Sequence, residues 1–168
     1  MRPPAAIPEL KNRKRSGTCA LPERKIRRMK NRKIGYALMR ITYGVIFLFY
    51  GIGKFRGGLG NFVGGMNQQF SGKLPAAMVM PFAYAIPFAE TISGALIFLG
   101  LLTRAGLTLS GLLLIGLTFG VVMLGQAPTV AHNLQYVLVN FVLLWFVDLN
   151  RYSVDGLLER KPAAGFTN

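Results

Sequence analysis

The sequence is short of the side chains on which most site chemistry is built. It holds one cysteine and one histidine. A single cysteine, Cys19, excludes a disulfide, a Cys-x-x-Cys redox pair or a thiolate metal cluster within one chain. A single histidine, His132, excludes haem held between two histidines of the same chain, and neither a His-Glu-x-x-His nor a His-x-x-Glu-His zinc pattern occurs. No metal site is therefore expected. Acidic residues number 6 and all charged residues make up 15% of the chain, well below the soluble norm. What replaces them is apolar, at 52% of residues, so an integral membrane protein is the first class to test.

Positive charge is concentrated at one end. Of the 20 basic residues, 12 fall within positions 1–33, opposed there only by Glu9 and Glu23. This stretch has no apolar stripe long enough to fold alone and reads as a mostly disordered cytosolic tail. It also lacks aromatics between Arg2 and Lys33, which argues against nucleic acid as its partner. Attraction to anionic lipid explains it better. Within the tail, Met29-Lys30-Asn31-Arg32-Lys33 reads as an alternative chain start.

Four apolar runs follow, predicting an all-α integral membrane protein built as an antiparallel bundle of four transmembrane helices. The first, 34–53, is broken only by Arg40. Its 20 residues at about 1.5 Å each cover the roughly 30 Å hydrocarbon core. A retained helix fits it better than a signal peptide, because it is long and has no small-x-small cleavage site. The second span is expected at 82–102, with Pro87 in an early turn, the third at 105–124 and the fourth at 129–147. These spans form a membrane domain over 34–150, and 151–168 is a cytosolic C-terminal tail. Six glycines between Lys54 and Lys73 mark a loop, with room for a short interfacial helix near 62–70. In the third span Gly106 with Ser110, and Gly116 with Gly120, repeat small residues at a spacing that lets helix backbones approach.

Orientation follows from the basic residues flanking the spans. The cluster Arg24 to Lys33 places the N-terminus in the cytoplasm, and Arg104, Arg151, Arg160 and Lys161 then also lie inside. Lys54, Arg56 and Lys73 are left outside. The expected location is the inner membrane, crossed several times.

Ionisable residues inside spans carry most of the functional information, since each costs several kcal/mol unless it pairs, snorkels or faces the bundle. On the first helix Arg40, Gly44, Phe47, Gly51 and Lys54 share a face by their 4-3-4-3 spacing, and on the second Glu90, Gly94, Ile97, Leu101 and Arg104 repeat it. Opposed helix directions then predict an outer Lys54–Glu90 pair and an inner cluster of Arg40, Arg104 and Asp148. On the fourth helix His132, Gln135, Tyr136 and Asn140 form a polar stripe descending from the outer surface, with Asn133 and Gln126 nearby. The blander reading makes all of these structural pairs, snorkels and hydrogen bonds. The sharper one makes Lys54, Glu90 and the stripe an outward-facing pocket for the polar head of a quinone or another small amphiphile.

Several stretches resemble the DoxX family of small membrane proteins: Leu38-Met39-Arg40, Gly44-Val45-Ile46-Phe47, Gly51-Ile52-Gly53-Lys54, Pro87-Phe88-Ala89-Glu90 with Gly94, Leu99 to Arg104, and Arg151-Tyr152-Ser153-Val154-Asp155. The resemblance covers about residues 36–158. It implies four helices in the inner membrane with both termini cytoplasmic, and a link to thiosulfate:quinone or thiol redox systems. Two functions remain open on the residues alone. One is a quinone-interacting membrane subunit of a redox complex, with Glu90 relaying a proton and a partner protein supplying electrons. The other is a non-enzymatic scaffold, assembly factor or small-solute conduit.

Overall fold

The computed structural model of the protein describes residues 23–158, and every described element is helical. Helix α1 runs Glu23–Arg56, α2 Leu59–Gln69, α3 Ala76–Leu99, α4 Thr103–Met123 and α5 Ala127–Trp145. A 3-10 turn, Val147–Leu149, and a short helix α6, Val154–Leu158, close the described chain.

Helix α1 begins at Glu23, upstream of the Ile34 at which the first span was expected to start. The physical reason lies in residue type. Arg, Lys and Met are good helix formers, no proline occurs between Pro22 and Pro75, and a helix already nucleated in the span propagates cheaply into such a flank. Its 34 residues extend for about 51 Å, well beyond the hydrocarbon thickness. The remainder of the basic tail, 1–22, and the C-terminal residues 159–168 lie outside the described residues.

Helix α3 also starts earlier than expected, at Ala76, so both Pro81 and Pro87 are internal and Pro87 sits near the middle rather than in an early turn. Pro87 has no N–H for the Ala83 carbonyl one turn back, a loss that membrane helices tolerate where neighbouring helices pack around the turn. The Pro87 carbonyl accepts the Thr91 hydroxyl at 2.8 Å, and α1 comes so near at Gly51 that a Cβ there would lie 3.0 Å from that carbonyl.

The α1–α3 contact is the closest packing in the molecule, and glycines make it possible. A side chain at Gly44 would meet the Phe98 backbone nitrogen at 2.6 Å, and one at Gly94 would collide with the backbone of Leu48. Helix α4 makes the expected close approach to α3 at Gly106, where a Cβ would lie 3.1 Å from Leu96 Cβ and 3.5 Å from the Ile97 backbone nitrogen, but its other glycines serve differently. Gly116 and Gly120 face the rings of Phe82 and Phe70, and Gly111 faces the Asn140 amide, so here they admit side chains. Tyr43, Ile86, Ile97, Leu107 and Leu143 form the fully buried centre. Leu38, Phe49, Phe88, Ile92, Leu112, Ile115, Leu138, Phe141 and Trp145 point outward, the inverse of a soluble protein's surface.

Among the described residues, three helices are long and apolar enough to cross a membrane: α1 over residues 27–56, α3 and α4. The expected fourth span is not among them. In α5, the polar residues His132, Asn133, Gln135 and Asn140 interrupt the apolar sequence. The protein is thus an all-helical membrane protein.

Candidate functional site

Polar side chains collect at the two ends of the bundle, called here the Lys54 end and the Arg104 end. At the Lys54 end, α1 and α3 run in opposite directions and bring two residues 36 positions apart into contact. Lys54 Nζ donates to Glu90 Oε2 at 2.5 Å. Glu90 is buried, with 7% of its side chain exposed, while Lys54 retains 22%. The same ammonium lies over two aromatic faces, 5.4 Å from the Phe62 ring centre and 5.9 Å from that of Tyr50. Tyr50 stands one turn before Lys54 on α1, and Phe62 comes from α2, which folds back over this end.

A cavity of about 270 Å³ opens beside the pair, lined by Phe47, Tyr50, Lys54 and Glu90 from α1 and α3, by Leu114, Leu117 and Val121 from α4, and by Thr129, His132, Asn133 and Tyr136 from α5. His132 stacks edge-on to Tyr136 at 5.0 Å, and Tyr136 edge-on to Phe47 at 6.3 Å. Asn133 Nδ2 donates to the Thr118 hydroxyl at 3.4 Å, which ties α5 to α4.

The expected polar stripe of α5 is therefore divided. His132 and Tyr136 reach the cavity, Gln135 is exposed and outside its lining, and Asn140 is buried deeper, where its Oδ1 accepts the Ser110 hydroxyl at 3.1 Å. Residues four apart share a helix face only approximately, and a stripe eight residues long drifts off a small pocket. Tyr50 and Phe62 were missed as site residues. Tyr50 shares the Lys54 face by its spacing, whereas Phe62 lies beyond a turn and only the tertiary fold brings it over the ammonium.

The Arg104 end departs further from expectation, because the cluster of Arg40, Arg104 and Asp148 does not form. Arg104 and Asp148 do pair, at 2.9 Å, but with 74% and 83% of their side chains exposed, which leaves the contact of little worth. Arg40 is 2% exposed and is committed elsewhere. Its guanidinium donates to the carbonyls of Ile97 at 2.7 Å, Phe98 at 3.3 Å and Tyr152 at 3.0 Å. Two of these are carbonyls in the last turn of α3, where a cation is favoured by the helix dipole.

Asp155, which carried no role in the sequence reading beyond its place in the closing motif, completes this end. Its carboxylate accepts the Leu102 and Thr103 amides at 2.8 and 2.9 Å and the Thr103 hydroxyl at 2.9 Å, while its own amide donates to the Gly100 carbonyl at 3.0 Å. Burial opposes its ionisation, but these donors and the nearby Arg40 charge together hold the carboxyl below its usual 3.8. The segment thus clasps the α3–α4 turn, in which Gly100 at φ 68° and Leu102 at φ 47° are both left-handed. A wider groove of about 790 Å³ lies outside the clasp between Arg104, Asp148, Arg151 and Asp155. Its two basic and two acidic side chains balance, and Arg104 and Asp148 among them are largely exposed. Among the described residues no three His, Cys, Asp or Glu side chains converge as a metal site would require.

The family model described as methylamine utilisation protein MauE matches residues 32–131, from the flank of the first span through the start of α5. The chain belongs to the MauE family. This assignment overturns the DoxX resemblance. The stretches that carried it include Gly44, Gly51 and Gly94 at the α1–α3 contact, Arg40 on the α3 carbonyls, the paired Lys54 and Glu90, and the Gly100 to Arg104 turn with its Asp155 clasp. The MauE match includes Lys54 and Glu90 and ends one residue before His132. Comparison with curated proteins and with solved structures finds no match.

Proposed function

We propose that this MauE family protein is a membrane accessory component of methylamine utilisation, serving a redox step by holding the polar head of a quinone in the cavity beside Glu90. The observation that carries this reading is the convergence of Lys54, Glu90, Tyr50, His132 and Tyr136 on one cavity, a carboxylate among aromatic walls and neutral donors. Such a site suits a flat, amphiphilic head whose carbonyls accept hydrogen bonds. In the proposed role a partner protein supplies two electrons and water entering through the open cavity supplies the two protons that convert quinone to quinol, one of them relayed by Glu90, which takes it from water and passes it to the reduced head.

The proposal includes α5 as a fourth span, completing a four-helix antiparallel membrane domain over 34–150. Its favourable features are the outward Leu138, Phe141, Leu144 and Trp145 and a three-residue return from α4. It also places both chain ends and the Arg104 end on the cytoplasmic side of an inner membrane. The basic flank of α1, including exposed Arg27, Arg28, Lys30 and Arg32, would lie among anionic lipid headgroups.

A second reading, a non-enzymatic scaffold, assembly factor or small-solute conduit, is favoured by one observation: Lys54 and Glu90 neutralise each other. Purification in mild detergent, with mass spectrometry of co-purifying quinones and proteins, separates the two. Bound quinone or a co-purifying oxidoreductase that is lost on Glu90→Gln at unchanged protein abundance supports the redox role. Unchanged partners with reduced abundance in Glu90→Gln support the scaffold.

A further inference from the structure

The surroundings of the Lys54 ammonium describe a binding site in their own right. One carboxylate oxygen accepts from it, and the faces of Phe62 and Tyr50 stand 5.4 and 5.9 Å away, within the range over which aromatic quadrupoles attract a cation. Glu90 is the one acidic residue in the whole stretch between Glu23 and Asp148. Its second oxygen, Oε1, accepts no hydrogen bond from the described residues, and Glu90 lines the cavity. A carboxylate with aromatic walls is the chemistry that holds small organic ammonium ions. Here its occupant is an ammonium tethered to the end of a flexible four-carbon stem, partly exposed and adjoining an open cavity.

We infer that the Glu90–Tyr50–Phe62 cage is a binding site for a small primary alkylammonium ion, which enters through the adjoining cavity and displaces the Lys54 ammonium. The exchange replaces one R–NH₃⁺ by another on the same carboxylate, so charge is conserved and no proton need move. Displaced Lys54 swings outward toward water, along the side on which its ammonium stem is already partly exposed. The N–H donors of a primary ammonium matter because the carboxylate requires them. A quaternary ion satisfies the aromatic faces but offers no hydrogen bond. The inference goes beyond the quinone role, since it concerns the cage and needs no electron transfer.

The test uses the full chain in mild detergent and labelled methylammonium as the probe, with sodium chloride held at matched ionic strength. Wild type is expected to bind it saturably, and Lys54→Met to bind at least about tenfold more tightly, because a tethered competitor acts at high effective concentration. Glu90→Gln should abolish saturable binding, and tetramethylammonium should compete at least about tenfold less well than methylammonium, in keeping with the loss of charge-assisted hydrogen bonds. Absence of saturable binding to folded wild type overturns the inference, as does binding that survives Glu90→Gln or fails to discriminate tetramethylammonium. Should Lys54→Met not fold, Lys54→Gln replaces it, and the wild-type and competition measurements still decide. Failure of quinone binding leaves these outcomes untouched, so the two readings fall separately.

Discussion

Removing the Asp155 carboxylate should loosen the Arg104 end of the bundle by an amount that its bonds set. It accepts the first two amides of the turn into α4 and the hydroxyl of Thr103, which is 1% exposed. Losing a side-chain cap at a helix start costs about 1 kcal/mol. Leaving the buried Thr103 hydroxyl hydrogen without its acceptor adds roughly 1 kcal/mol more, and Asn150 Nδ2, which donates to the same oxygen at 2.8 Å, cannot replace that acceptor. Asp155→Ala should therefore destabilise by about 2 kcal/mol, and Asp155→Asn, which keeps one acceptor oxygen, by about half that. Reversible denaturation in mixed micelles, followed by circular dichroism, provides the measurement. The pH dependence has a definite sign. The folded carboxyl is held below its usual 3.8, so its contribution is complete above that value and is lost as pH falls through the lower folded one. Wild type should lose this increment in acid and Asp155→Asn should not. A change in Asp155→Ala below about 0.5 kcal/mol, the range of an ordinary surface substitution, would refute the clasp.

Gly94→Ala should be strongly disruptive, at about 2 kcal/mol or more, because its Cβ meets the α1 backbone rather than a movable side chain; circular dichroism thermal melts report it. In a double-mutant cycle, Lys54→Met and Glu90→Gln should each lower stability, while the combined variant recovers about 1–3 kcal/mol of their summed loss. Strict additivity of the two would show that the contact contributes no coupling. Leu102→Gly should stabilise by roughly 1 kcal/mol, since Leu102 is left-handed at φ 47° and 62% exposed. A lower melting temperature for that variant would show that its side chain, not its backbone, governs the turn.

The membrane class and the approximate positions of the helices were legible because apolar runs interrupted by Gly and Pro are a local signal. The Lys54–Glu90 contact was legible for a related reason: short connections and antiparallel spans restrict which charges share an end. Helix boundaries were less so, since proline is tolerated both in the first turn and inside a packed membrane helix, and only the fold shows that Pro81 and Pro87 are internal to α3. The fate of Arg40 was not readable. Its carbonyl partners belong to every sequence, and only the fold shows that the last turn of α3 and Tyr152 surround it. Asp155 was hidden by its place in a polar tail, where charge normally signals solvent. Family membership was misread because the glycine spacing, the turn motif and the Lys54 and Glu90 positions, most of which fall within the MauE match, do not by themselves separate one family of helical membrane proteins from another.

The central proposal is that the cavity beside Glu90 receives a quinone head. Photolabelling with a short-tailed azidoquinone, followed by peptide mapping, tests it most directly in the purified full chain. The account predicts labelling of peptides containing Tyr50 and Lys54 or His132 and Tyr136, suppressed by excess unmodified quinone and weakened by Glu90→Gln in protein that remains folded. Labelling confined to outward residues such as Leu138 and Phe141, or indifferent to competitor, would contradict it.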